Sequence, residues 1–258
     1  MQDDPLISAF CRYFDLIRPN EEQMEAVYRL RYEVYCREFK YESGDSCLGE
    51  REVDEYDAQA THCLLQHVVS GTSAGCVRVV HVDGRQKIHE LPMERHCENC
   101  FYETDYRPDR IERDQICEVS RLAVNGLFRR RLGESVTPFG DLHLLNVPLE
   151  QARTFPLLAL SLFMSAVAMM EIQGRSHAFA MMEPSLARIL RRHGLKVKQI
   201  GTLQNYHGRR APFHISLLTA LAGIHRSPSL SQLYAHSYSN LSDSHPSDSL
   251  WDAVARAV

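Results

Sequence analysis

The sequence has no hydrophobic run long enough to cross a bilayer. The longest, FPLLALSLFMSAVAMM (Phe155–Met170), is interrupted by Ser161 and Ser165 and is shorter than the roughly 20 residues a spanning helix needs. It reads as a buried helix with Pro156 in its first turn, and no membrane span is expected. A basic excess is lacking too: 29 Lys and Arg stand against 33 Asp and Glu, a net charge of −4. No global positive field therefore argues for a nucleic-acid partner. The opening residues MQDDPLISAF are acidic and lack the long apolar core of a secretory signal. Cysteine occurs at eight scattered positions, but HCENC (His96–Cys100) holds the only CxxC pair. A tetrahedral zinc site needs four ligands, usually from two such pairs, so no metal is expected. Without a secretory signal the thiols are expected to stay reduced and the protein to be cytoplasmic. No internal repeat is visible.

What remains is enough for a sizeable core: 258 residues, 44% of them hydrophobic. Asn20 is a good N-cap with Gln23 three residues on, as in a capping box. Met24, Val27, Tyr28, Leu30, Val34 and Tyr35 then recur at helical spacing, which predicts a helix over 21–38. THCLLQHVV and GCVRVVHVD, separated by SGTSA, read as a β-hairpin. HELPMERHC reads as a short helix, QICEVSRLAV as a strong strand and SHAFAMME as another. PSLARILRRHG is a helix opened by Pro184 and stopped by Gly194. LKVKQIG and, less clearly patterned, FHISLLTAL finish the strands. From 226 the chain becomes Ser-rich, which predicts a mobile tail over 226–258 with a short terminal helix at LWDAVARAV. The order of elements implies one α/β domain over 1–225, with a mixed central sheet flanked by helices.

The charges are more informative than the pattern. EREVDEYD (Glu50–Asp57) sets five carboxylates into eight residues just before a strand. Arg78 sits inside CVRVV, and Glu118 and Arg121 sit inside CEVSRLAV. A lone charge in a sheet core is costly, so such groups pair or face a cleft. Glu52, Asp54 and Asp57 can satisfy Arg31, Arg78 and Arg121, with Glu50 and Glu55 left to solvent. An outward strand face with a solvated acidic turn is the competing reading. On a regular strand, residues three apart point to opposite faces, so Glu118 and Arg121 share a side only if a β-bulge separates them.

The ordered set Arg31, Glu52-x-Asp54-x-x-Asp57, Arg78 and Glu118-x-x-Arg121 resembles the acyl-homoserine-lactone synthases, which have the GNAT (N-acetyltransferase) fold. Tyr35 and Tyr41 stand where that family usually has Phe and Trp. The blocks VYRLRYEVYCREFKYE, DEYDAQATHCLL, EVSRLAV, MEPSLARILRRHG and YHGRRAPF are more similar to a sister family, the PEP-CTERM/exosortase system-associated acyltransferases, related to long-chain N-acyl amino acid synthases. The resemblance spans residues 20 to 218. It implies a single GNAT domain that transfers an acyl group from a thioester to the amino group of an amino acid or similar small amine. The alternatives are a lactone synthase using S-adenosylmethionine and a non-catalytic acyl-binding module. Glu118 is then the candidate proton acceptor and Arg121 its companion in the catalytic set. Arg31, Tyr35, Glu52, Asp54, Asp57 and Arg78 bind substrate or order the loop over the cleft. The implied co-substrate is an acyl thioester, on acyl carrier protein or coenzyme A, with no tightly bound cofactor. In FRRRLGE only Gly133 remains of a Gly-rich pyrophosphate loop. Arg129, Arg130 and Arg131 form a basic patch there, suited to an acidic carrier protein.

Overall fold

The two apolar runs flanking SGTSA do form a hairpin: β2 (Ala60–His67) and β3 (Ser73–His81) pair antiparallel. Residues Ala74 to Val80 of β3 are buried throughout, so this strand is covered on both faces. The computed structural model describes residues 4–82, 87–97, 99–129, 149–242 and 250–255. Around the hairpin it builds an eight-stranded mixed sheet ordered β1-β2-β3-β4-β5-β8-β6, with β7 pairing β8. The remaining strands are β1 (Phe14–Ile17), β4 (Ile116–Val124), β5 (His177–Met182), β6 (Val197–Gln199), β7 (Gln204–Asn205) and β8 (Arg209–Ser216). Among the described strands only β4 and β5 run parallel.

Alternation within β2 and β3 divides the core. Leu64 and Cys76 face α2 (Glu21–Arg31), packing with Val27, Leu30 and Val34. Cys63, Leu65, Val77 and Val79 face the opposite layer. That layer is centred on α6 (Leu157–Ile172), the apolar run read from the sequence, which packs on β3 and on α9 (Pro228–Leu241). Gly75 is what lets α6 come so near: a Cβ there would lie 2.7 Å from Leu162 Cδ1. Among the described residues no helix is long and apolar enough to cross a membrane.

α2 begins as its capping box predicts, with Asn20 and Gln23 exchanging hydrogen bonds of 2.9 and 3.0 Å. The predicted helix over 21–38 does not stay α-helical. From Tyr32 to Glu38 it widens into a π-helix, closed by the Phe39 amide on the Val34 carbonyl at 3.0 Å.

Three expectations are corrected. Residues 228–241 are not a mobile tail: they form α9, whose Leu230, Leu233, Tyr234 and Leu241 are buried in the main core. FHISLLTAL is only half strand. β8 ends at Ser216, and α8 (Leu217–His225) takes over because Leu217, Ala220, Leu221 and Ile224 lie at helical spacing and bury together. Four of the eight cysteines are not reduced thiols: Cys36 bonds Cys47 and Cys97 bonds Cys100. In each pair the fold brings the two Cα atoms within 6.4 Å, a separation a disulfide spans. Cys11, Cys63, Cys76 and Cys117 are free thiols, and burial raises the pKa of each.

Candidate active site

The parallel pair β4 and β5 is short. Ile116, Cys117 and Glu118 meet His177, Ala178 and Phe179, and there the register ends. Beyond it β4 stays with β3 and β5 stays with β8, so the two strands diverge. The gap holds a cavity of about 290 Å³, lined on one side by residues 118–122 and on the other by residues 180–183. Phe163 and Leu186 supply apolar wall, and Tyr35, His96, Tyr206, His207 and Arg210 also line it.

β4 carries an irregularity at this place. Cys76 pairs with Ala123 and Arg78 with Ser120, so two residues of β4, Arg121 and Leu122, oppose Val77 alone. Arg121 takes a positive φ of 50°, a conformation that is uncommon outside glycine and is typical of bulges beside sites. The bulge turns Arg121 toward the acidic loop and frees the Leu122 carbonyl, which accepts the Tyr35 hydroxyl at 2.8 Å. The geometric objection raised by the three-residue spacing is thereby met: Glu118 and Arg121 line one cleft.

The charged residues assemble into one network. Arg31 donates to Glu52 at 2.5 Å and to Asp57 at 2.6 Å, with Arg31 and Glu52 both fully buried. Arg78 donates to Asp54 and, at 2.8 Å, to Asp57. Arg121 donates to Glu52 at 3.0 Å, to Asp54 at 3.1 Å and to Glu42 at 3.0 Å. Asp54 and Asp57 are also a local cap. The Asp57 carboxylate accepts the Asp54 amide at 2.8 Å and the Asp54 carboxylate accepts the Tyr56 amide at 2.9 Å, opening a 3₁₀ turn over Glu55–Gln59. Burial would raise the Asp54 and Asp57 carboxyls, but the arginines outweigh it and hold both below the usual carboxylate range. Burial likewise opposes the Arg31 and Arg121 charges, and their carboxylate partners hold both firmly cationic. The loop carrying Glu42 and Glu52 is tied to the π-helix by the Cys36–Cys47 disulfide.

Glu118 stands apart from this network. It is buried at 3% exposure and makes no ion pair among the described residues; its carboxylate accepts the Met93 amide at 2.7 Å. Burial pushes its pKa up to about 8, against the downward pull of that amide and of Arg78 and Arg121. Glu55, expected in solvent, is exposed and pairs with Arg95; Glu50 is exposed as well.

Of the basic patch, Arg129 donates to Val124 O at 2.7 Å and pairs with Glu38, its side chain 30% exposed. Arg130 and Arg131 lie outside the described residues. Among the described residues no group of His, Cys, Asp or Glu is arranged to hold a metal ion, and Cys97 and Cys100 bond one another.

Pattern reading missed Glu42, Tyr206, His207 and Arg210. The last three arrive on the hairpin of β7 and β8, whose turn uses positive φ at His207 (50°) and Gly208 (91°). NYHG was a legible turn signal, but β7 is only two residues long, too short for periodicity to find. Glu42 lay in a segment read as plain loop.

Residues 30–137 match the acetyltransferase (GNAT) domain family. Three solved structures share the fold. BjaI, a coenzyme A-dependent acyl-homoserine lactone synthase solved with S-adenosylmethionine and isopentyl-CoA, superposes at a TM-score of 0.55 with 19% identity, over 95% of this chain and 98% of its own. TofI, solved with an inhibitor and MTA, gives 0.55 at 17% identity over 84% and 99%. FeeM, an N-acyl amino acid synthase from uncultured soil microbes, gives 0.53 at 14% identity over 81% and 93%. Among curated proteins none matches the sequence. The matched domain, the mixed sheet and the splay between β4 and β5 make this chain an acyltransferase enzyme built on the GNAT fold.

Proposed function

We propose that the protein is an N-acyltransferase that moves a fatty acyl group from a thioester to the amino group of an amino acid or similar small amine. The observation that carries this reading is Glu118: a buried carboxyl with no ion-pair partner among the described residues, its pKa raised to about 8 by burial, in the cleft where β4 and β5 part. In the reaction the amine nitrogen attacks the thioester carbonyl carbon. The C–N bond forms, the C–S bond breaks, and the sulfur leaves as a thiol after taking up a proton. The ammonium must first lose a proton, and a carboxylate whose pKa approaches that of an amine is suited to accept it. Arg121 belongs to the wall beside the reacting groups. Arg31 and Arg78 hold down the loop that bears Glu52, Asp54 and Asp57. The network sets three guanidiniums against four carboxylates, so its surplus is negative and favours an approaching ammonium.

Acyl carrier protein is the donor this reading favours, through the Arg129–Arg131 patch, with acyl-coenzyme A as the rival; both pools are cytoplasmic. The sequence blocks similar to the PEP-CTERM system-associated acyltransferases favour an N-acyl amino acid over a lactone. The test is direct. Purified protein is given palmitoyl carrier protein or palmitoyl-coenzyme A, with the proteinogenic amino acids or with S-adenosylmethionine, and products are identified by mass spectrometry. An N-acyl amino acid is expected. A lactone would transfer the assignment to the homoserine-lactone synthases, and no acyl product would leave a binding module.

A further inference from the structure

Arg210 lines the same cleft from β8 and differs from every arginine in the charged network. Arg121 has its Nε and Nη2 donors taken by Glu42, Glu52 and Asp54. Arg210 has no hydrogen-bond or ion-pair partner among the described residues, and its Nε is buried without one. Its guanidinium lies 5.3 Å from the centroid of the Tyr41 ring, which supports the plane and supplies no acceptor. A buried donor left unpaired is costly, and a guanidinium so placed is a ready receptor for an anion. The hairpin that presents it is fixed: the Tyr206 amide donates to Gly208 O at 2.9 Å, and His207 Nε2 lies 3.3 Å from Glu42, which itself binds Arg121.

We propose that Arg210 receives the carboxylate of the acceptor, so that the enzyme selects amino acids over simple amines. The proposal rests on the acyl-transfer reading. The planar fork of a guanidinium fits a carboxylate through two parallel hydrogen bonds. Arg121, the other arginine lining the cleft, already serves three carboxylates through Nε and Nη2. A doubly charged donor phosphate is disfavoured because Glu118 and Glu183 line the same cleft and Glu42 adjoins it. An amino acid is a zwitterion, and the cleft offers one group for each end: Arg210 for the carboxylate and Glu118 for the ammonium.

The test uses the best amino acid from the product screen, as free acid and as methyl ester, with palmitoyl donor. Wild-type enzyme should prefer the acid by at least roughly tenfold in kcat/KM. Arg210→Ala should raise the acid's KM by roughly 10- to 100-fold, the worth of a charge-assisted pair, and bring the acid-to-ester ratio toward one. Arg210→Lys should recover part of the preference. A change confined to the donor KM would overturn the proposal, as would equal use of acid and ester by the wild type. If Arg210→Ala does not fold, the wild-type acid-to-ester ratio decides. If no amine is acylated, the acyl-transfer reading fails separately. Calorimetric titration of wild-type protein with the free amino acids and their methyl esters then decides between carboxylate binding and none.

Discussion

A carboxyl that burial has raised and a carboxyl that arginines have lowered behave oppositely, and both kinds lie within the reach of Arg121. Glu118→Gln keeps the shape of the side chain and removes its basicity. Turnover should fall by about 10²–10⁴-fold, the usual worth of a general base, a larger effect than any rise in the acceptor KM. The stability effect has a sign of its own. The Glu118 pKa rises from 4.5 unfolded to about 8 folded, so the native state holds more protons across that window and loses stability as pH rises through it. Glutamine has no such penalty. Glu118→Gln should therefore gain on wild type in urea denaturation between pH 5 and pH 8, while losing activity. Equal activity at all pH values would reduce Glu118 to a structural residue. Arg31 is the opposite case. It is fully buried between Glu52 and Asp57, and Arg31→Met leaves those carboxylates short of partners. The expected loss is about 3–5 kcal/mol, read from the urea midpoint. A loss below 1 kcal/mol would mean that the cluster relaxes into solvent.

Elements were legible in proportion to how well their chemistry followed a period. The capping box at Asn20, the hairpin of β2 and β3, and α7 (Pro184–Arg192) each carry a local signal, and each is where the sequence placed it. The three-residue spacing of Glu118 and Arg121 states only a condition, that they share a cleft if a bulge separates them, and the bulge at Arg121 is what the structure adds. α9 was missed because serine was counted as polar. Ser231 and Ser237 donate to the carbonyls of Ile224 and Leu233, and Ser165 of α6 does the same to Ser161. A serine so satisfied packs as a small residue, and the Leu230, Leu233, Tyr234, Leu241 stripe then becomes visible. The π-helix at Tyr32–Glu38 left no readable mark, since one extra residue per turn does not disturb a short apolar pattern. The disulfides were misjudged from expected compartment rather than from geometry. They give a direct measurement: denatured, unreduced protein should titrate four thiols, and reduced protein eight. Reduction should also lower the melting temperature. Closing the 11-residue separation between Cys36 and Cys47 is worth about 2–3 kcal/mol of denatured-state entropy. Eight thiols without reductant would remove both bonds.

At the scale of the whole molecule, titration follows burial. Burial lowers the pKa of His62, His67, His96, His177, His214 and His236, taking His62 and His214 to about 4. Each is neutral in the folded protein at a pH where it is charged in the unfolded chain. The unfolded state thus binds more protons between the folded values and 6.5, and stability must climb with pH across that range. The lowered carboxyls Asp54 and Asp57 add the same sign at lower pH, being lost as they protonate. Among the described residues Glu118 alone opposes them between 4.5 and about 8, one proton against several. About one pH unit above 6.5 the imidazoles are neutral in both states, so the Glu118 slope is left uncovered. The four free thiols, each raised by burial, continue the decline on the alkaline side. The stability maximum is therefore expected at about pH 7–7.5, where the few protons left on the unfolded imidazoles balance the one held by Glu118, with a steep acid flank and a shallower decline just above it. Urea midpoints from pH 4.5 to 9 check this. A flat acid flank would mean that the imidazoles reach protons without unfolding. An optimum for turnover displaced above the stability maximum, toward pH 8, is the further expectation if Glu118 must be ionised to accept the proton of the amine.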